Sequence, residues 1–131
     1  MVKVLDAHAL MVFFEKEKGY EKVTSLFSLA VEKDSNLLMT SVNYGEVYYI
    51  VLRERGLEKA EEIEHIIETL PIDIVDVDID LAREAGKIKA HYKLSYADCF
   101  AAGLARMKKG EVITGDPEFE CVKNQIKVCW I

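Results

Sequence analysis

Short apolar runs alternate with longer amphipathic ones along the chain. Val2–Leu5, Leu37–Thr40, Ile72–Val77, Val112–Thr114 and Lys127–Trp130 predict strands. Each is short and mostly apolar, as strands buried on both faces of a sheet should be. Between them apolar residues recur at helical spacing. Glu58–Leu70 puts Ile63, Ile66, Ile67 and Leu70 on one face, and Asp80–His91 does the same with Leu81, Ala85 and Ile88. Ser41 and Ser95 are N-cap candidates. Gly56 and Gly110 each follow a last turn rich in cations, the expected helix stop. The order is strand, two helices, strand, two helices, strand, two helices, strand, short helix, strand. It predicts the α/β class, a parallel sheet with helices on both faces. In such sheets ligands bind outside the carboxyl ends of the strands.

Composition narrows the class. The 131 residues fit a single domain spanning 1–131 and leave little room for a second. No apolar run reaches the roughly 18 residues needed to cross a bilayer. Asp6 interrupts the N-terminus too early for a secretion signal, so the expected location is the cytoplasm, away from any membrane. Cys99, Cys121 and Cys129 are odd in number and lack Cys-x-x-Cys spacing. They indicate neither a zinc site nor a disulfide framework and read as small core residues. Abundant Lys and Glu beside a single Gln lean toward a thermophilic source. The net charge of −6 excludes a general polyanion binder. Contact with nucleic acid would need a local basic patch or a bound cation.

The candidate chemistry lies where charge is scarce. Asp6 is the only formal charge between Lys3 and Glu15, Glu46 the only one between Asp34 and Arg53, and Asp98 the only one between Lys93 and Arg106. Asp116 stands between Gly115 and Pro117. All four sit at or just after predicted strand ends, or early in the helices that follow. Those places converge on the carboxyl edge of a parallel sheet. Asp6, Asp98 and Asp116 also have structural readings as helix caps or capping-box members. Glu46 is the hardest to explain structurally, because it lies a full turn beyond Ser41 among Val42, Val47, Ile50 and Val51.

Two carboxylates 4 Å apart repel by about 4 kcal/mol at an effective dielectric near 20. Four together need a cation between them. An all-oxygen set without a His or Cys cluster selects a hard ion, Mg²⁺ or Mn²⁺. A carboxylate cage around such ions activates water and clamps a phosphodiester. That is nuclease chemistry, and it explains how an acidic protein can act on a polyanion.

The chain resembles PIN-domain ribonucleases, and most closely VapC-type toxins of prokaryotic toxin–antitoxin pairs. The matching stretches are Val4–Leu10, Thr40–Val47, Leu94–Ala102 and Val112–Phe119. No one stretch is specific; the ordered set is. The resemblance implies a three-layer α/β/α sandwich around a five-stranded parallel sheet. It makes Asp6, Glu46, Asp98 and Asp116 the metal-binding and catalytic acids, supported by the Thr114 hydroxyl. It implies Mg²⁺-dependent endonucleolytic cleavage of RNA. It also implies a homodimer and an antitoxin whose C-terminal segment covers the site. One departure is visible. The family usually has a small hydroxyl residue within two positions of the first acid, where this chain has Ala7-His8. His8 is either a contact to phosphate or to water at the ion, or an ordinary helix-start histidine.

Arg83, Lys87, Lys89, His91 and Lys93 form a basic stretch opposed only by Glu84, a candidate RNA contact or a solvated helix face. Leu10, Met11, Phe13 and Phe14, with Tyr44, Tyr48 and Tyr49, are candidates for an antitoxin groove or dimer face, or for the core. The competing function is a non-catalytic PIN-like module that binds RNA or a partner. A receiver domain needs paired acids after the first strand, and a haloacid-dehalogenase-like phosphatase needs Asp where His8 stands. The chain has no Gly-x-x-x-x-Gly-Lys P-loop.

Overall fold

The computed structural model describes all 131 residues. The elements run β1 (Lys3–Leu5), α1 (Ala7–Glu15), α2 (Tyr20–Glu32), β2 (Leu37–Thr40), α3 (Ser41–Arg55) and α4 (Leu57–Thr69). They continue with β3 (Ile72–Val75), α5 (Ile79–His91), α6 (Tyr96–Met107), β4 (Glu111–Thr114), a 3-10 turn over Pro117–Val122 and β5 (Lys127–Trp130). This is the order that the apolar pattern predicts. Every strand pairing is parallel, in the spatial order β3-β2-β1-β4-β5.

The strand period of two divides the core between the sheet's faces. Leu5, Leu37, Met39 and Ile113 pack with Leu10, Val23, Phe27, Val47, Ile63 and Ile67 from α1 to α4. Their neighbours Val4 and Val112 turn the other way, onto Leu81, Ile88, Phe100, Leu104 and Phe119. Helices therefore cover both faces, as a parallel sheet requires. Each fully buried Leu or Ile contributes about 1.5–3 kcal/mol by leaving water. The aromatic group of α1 belongs mostly to this core. Phe13 stacks on Tyr20 and meets Phe27 edge-on. Tyr49 stays exposed, with Arg53 over its ring.

Local details correct the pattern. Ser41 is not the cap of α3: Thr40 is, its hydroxyl accepting Asn43 N–H at 3.0 Å, while the Ser41 hydroxyl accepts Val77 N–H at 3.3 Å. Ser95 does cap α6, accepting Asp98 N–H. Gly56 ends α3 at φ 91° as expected. After α6 the left-handed residue is Lys109, at φ 53°, and not Gly110. The predicted third strand stops at Val75, and β3 is not buried on both faces: Asp73 and Ile74 are exposed because it is an edge strand. Of the cysteines only Cys99 is buried; Cys121 is exposed and Cys129 lies between.

Gly110 serves a different purpose. A Cβ there would stand 2.2 Å from the Val2 carbonyl oxygen, where β4 enters beside β1. Next to it, one rung of the sheet aligns Lys3, Glu111 and Lys127. Glu111 takes Lys3 at 2.8 Å and Lys127 at 3.8 Å, which fixes the register of three strands. Gly110→Ala should therefore cost at least about 2 kcal/mol through overpacking against backbone. Urea denaturation would measure it, and an unchanged midpoint would contradict the tight approach.

Candidate metal centre

Helix starts place the acids. Asp6 follows β1 and caps α1: its Oδ1 accepts Ala9 N–H at 2.8 Å. Asp116 follows β4 and caps the 3-10 turn by accepting Glu118 N–H at 2.9 Å, with Pro117 at the first position. Asp98 lies in the first turn of α6 and Glu46 in the second turn of α3. The cap readings of Asp6 and Asp116 hold, and a cap uses only one oxygen of each carboxylate. One carboxylate oxygen starts the helix and the other remains.

Oxygens of Asp98, Asp116 and Glu118 converge, within 4.8 Å of one another; Asp6 and Glu46 are not part of that group. Burial pushes the Asp6 carboxyl up to about 7, the charges of Asp98 and Asp116 add to that, and the Thr114 hydroxyl and Ala9 N–H offset part of it. Burial also raises Asp98 to about 6, with Glu46, Asp116 and Glu118 adding to the effect. Glu46 is raised by burial first and then by Asp116. Asp116 is near enough to raise Asp6, Glu46 and Asp98, so the four residues singled out in the sequence are neighbours at this edge of the sheet.

Asp6 Oδ2 and Glu46 Oε1 are buried and make no hydrogen bond. A buried acceptor without a partner is costly, more so when charged. A cation removes that cost at both atoms. The donor set is all oxygen and fits a hard divalent ion.

Supporting residues hold the acids in place. Thr114 is fully buried at the end of β4, and its hydroxyl accepts Asp116 N–H at 3.0 Å. Asn43 is fully buried as well. It receives the Thr40 hydroxyl at Oδ1 and donates from Nδ2 to the Ala97 carbonyl at 3.1 Å. Asn43 therefore ties the start of α3, which carries Glu46, to the start of α6, which carries Asp98. Sequence reasoning missed both Asn43 and Glu118. The Thr40-x-x-Asn43 spacing of a reciprocal cap was a signal for the first. Nothing separates Glu118 from the other exposed glutamates until the turn after β4 is seen.

The basic stretch is mostly engaged within the chain. Arg83 pairs with Asp80 at 3.0 Å and Lys87 with Glu84 at 3.8 Å, while Lys89 donates to the Leu94 carbonyl at 2.9 Å. Lys93 is exposed and has no such partner. His8 is exposed, and its Nδ1 accepts Gly115 N–H at 3.3 Å.

Known proteins are similar to this chain. Ribonuclease VapC30 of Mycobacterium tuberculosis is 27% identical over 124 residues, covering 89% of this chain and 92% of the relative. VapBC2 from Rickettsia felis, solved bound to a DNA fragment from its promoter, superposes with a TM-score of 0.78 over 100% of this chain and 99% of that one, at 16% identity. VapC20 of Mycobacterium tuberculosis, described as a sarcin-ricin loop cleaving toxin, gives 0.72 at 15% identity over 90% and 92%. At such identities these structures share the fold. The family model described as PIN domain matches residues 3–124, nearly the whole chain, and the protein belongs to that family.

Proposed function

We propose that this protein is a divalent-metal-dependent endoribonuclease and the toxin of a toxin–antitoxin pair. The observation that carries the reading is the gathering of Asp98, Asp116 and Glu118 within 4.8 Å, beside Asp6 and Glu46, each of which has a buried oxygen that makes no hydrogen bond. Its relative VapC30 is named a ribonuclease, and VapBC2 is a similar fold within a VapBC complex. Asp6, Glu46, Asp98 and Asp116 would hold Mg²⁺ or Mn²⁺, with Glu118 at the rim. When bound, the ion supplies an activated water and offsets charge that develops on the phosphodiester. Thr114 and Asn43 hold the acids in register. Lys93 is the member of the basic stretch free to meet an RNA phosphate.

An antitoxin and a second copy of this chain are the proposed protein partners. No helix is long and apolar enough to cross a membrane.

The test is cleavage of a fluorescent single-stranded RNA with Mg²⁺, with Mn²⁺ and with EDTA, beside Asp98→Asn. Cutting should require the metal. The variant should fall at least about 100-fold with an unchanged circular-dichroism spectrum, the scale lost when a group stabilising the transition state is removed. An active, folded Asp98→Asn would refute the assignment. RNA bound but left uncut with either metal would make the chain a binding module.

A further inference from the structure

His8 is a polar group at the rim of the cluster whose presence the acids do not explain. It is the second residue of α1, two positions beyond Asp6, and it is exposed. Its Nδ1 accepts the N–H of Gly115, the residue before Asp116. A backbone N–H can only donate, so Nδ1 is the acceptor of this contact and Nε2 is the nitrogen left to donate. The approach is close. A Cβ at Gly115 would lie 2.7 Å from His8 Cε1 and 3.2 Å from Nδ1. The ring is therefore pinned along one edge between the turns that carry Asp6 and Asp116. Its Nε2–H faces outward without a partner in the chain.

That donor suits a particular ligand. A phosphodiester approaching the rim meets Asp116 and Glu118, both negative. A lysine or arginine placed there would be drawn onto the carboxylates, as Lys123 is onto Glu120 at 2.8 Å nearby. A ring donor held by its own second nitrogen on the Gly115 backbone is not captured in this way. A hydrogen bond to a charged acceptor is also stronger than one to a neutral acceptor. Resting on the ribonuclease reading, we propose that His8 is an RNA-contacting residue whose Nε2–H donates to a phosphate oxygen of the bound strand.

Steady-state cleavage of one RNA with Mg²⁺ by wild type, His8→Ala, His8→Asn and His8→Gln tests this. Asn can still accept from Gly115 but offers no donor at the Nε2 position; Gln places an N–H donor there. The expected result is a KM about tenfold higher in His8→Ala and His8→Asn, the scale of one hydrogen bond to a charged group. kcat should stay within about twofold, and His8→Gln should recover most of the KM. Recovery by His8→Asn instead would show that the ring only anchors Gly115 and would overturn the proposal. So would wild-type kinetics in all three variants, or a loss in kcat at constant KM. If wild type itself fails to cut, the ribonuclease reading is what falls, and this proposal with it.

Discussion

In Asp6→Asn, RNA cleavage drops at least about 1000-fold, while the metal-free protein at pH 8 becomes more stable than wild type. The loss follows from removing a charged group that only the ion-bound state needs. The gain follows from burial. Asn retains an oxygen to accept Ala9 N–H, so the cap on α1 survives. What disappears is a carboxylate that burial pushes from 3.8 up to about 7. Between those pH values the folded chain keeps a proton that the unfolded chain has released. Stability therefore falls as pH rises through that window, by about 1.4 kcal/mol for each tenfold difference in proton affinity. The amide escapes the penalty. Thermal melts in EDTA should show the variant above wild type at pH 8, with the gap closing toward pH 4. A variant that melts lower at pH 8 would mean that the Asp6 charge stabilises the fold, against the burial argument.

Divalent metal has the second large effect. Mg²⁺ or Mn²⁺ should raise the melting temperature of wild type strongly at pH 8 and weakly at pH 5. An ion present at a hundred times its Kd contributes about 2.7 kcal/mol, on the order of 10 °C for a chain of this size. At pH 5, protons compete for Asp6 and Asp98, which burial holds near 7 and 6. Asp6→Asn and Glu46→Gln should lose most of the shift, because each removes one of the two buried oxygens that make no hydrogen bond. Melting curves at pH 8 that ignore the metal would leave those oxygens without the cation assigned to them.

Asp6, Glu46 and Asp98 stood out because the chain keeps charge away from them; Asp116, with Glu118 two positions on, stood out only by its place after a strand and before Pro117. The strands were legible because burial on two faces leaves runs such as Val112–Thr114 with little polar content. β3 was misjudged on the same criterion: its exposed outer side is decided by spatial order, which local pattern does not encode. Gly110 read as a helix stop from its place after Lys108 and Lys109. Its actual constraint is the Val2 carbonyl, far away in sequence. Glu118 joins Asp116 only through the fold of the turn between β4 and β5. The charges of Arg83 and Lys87 looked available because their partners Asp80 and Glu84 lie one helical turn back, a pairing that appears only once α5 is formed.

The exposed outer side of β3 has a consequence for how molecules of this protein meet at high concentration. An edge strand offers unpaired backbone groups to any other strand, the usual starting point for sheet-by-sheet polymerisation. Here Asp73 lies on that strand, and Asp76 and Asp78 follow it, all exposed. Two copies approaching along this edge would oppose like charges before any ladder could form. The acids beside β3 thus act as a barrier to self-association, whereas the acids at the ends of β1 and β4 are those proposed to hold an ion.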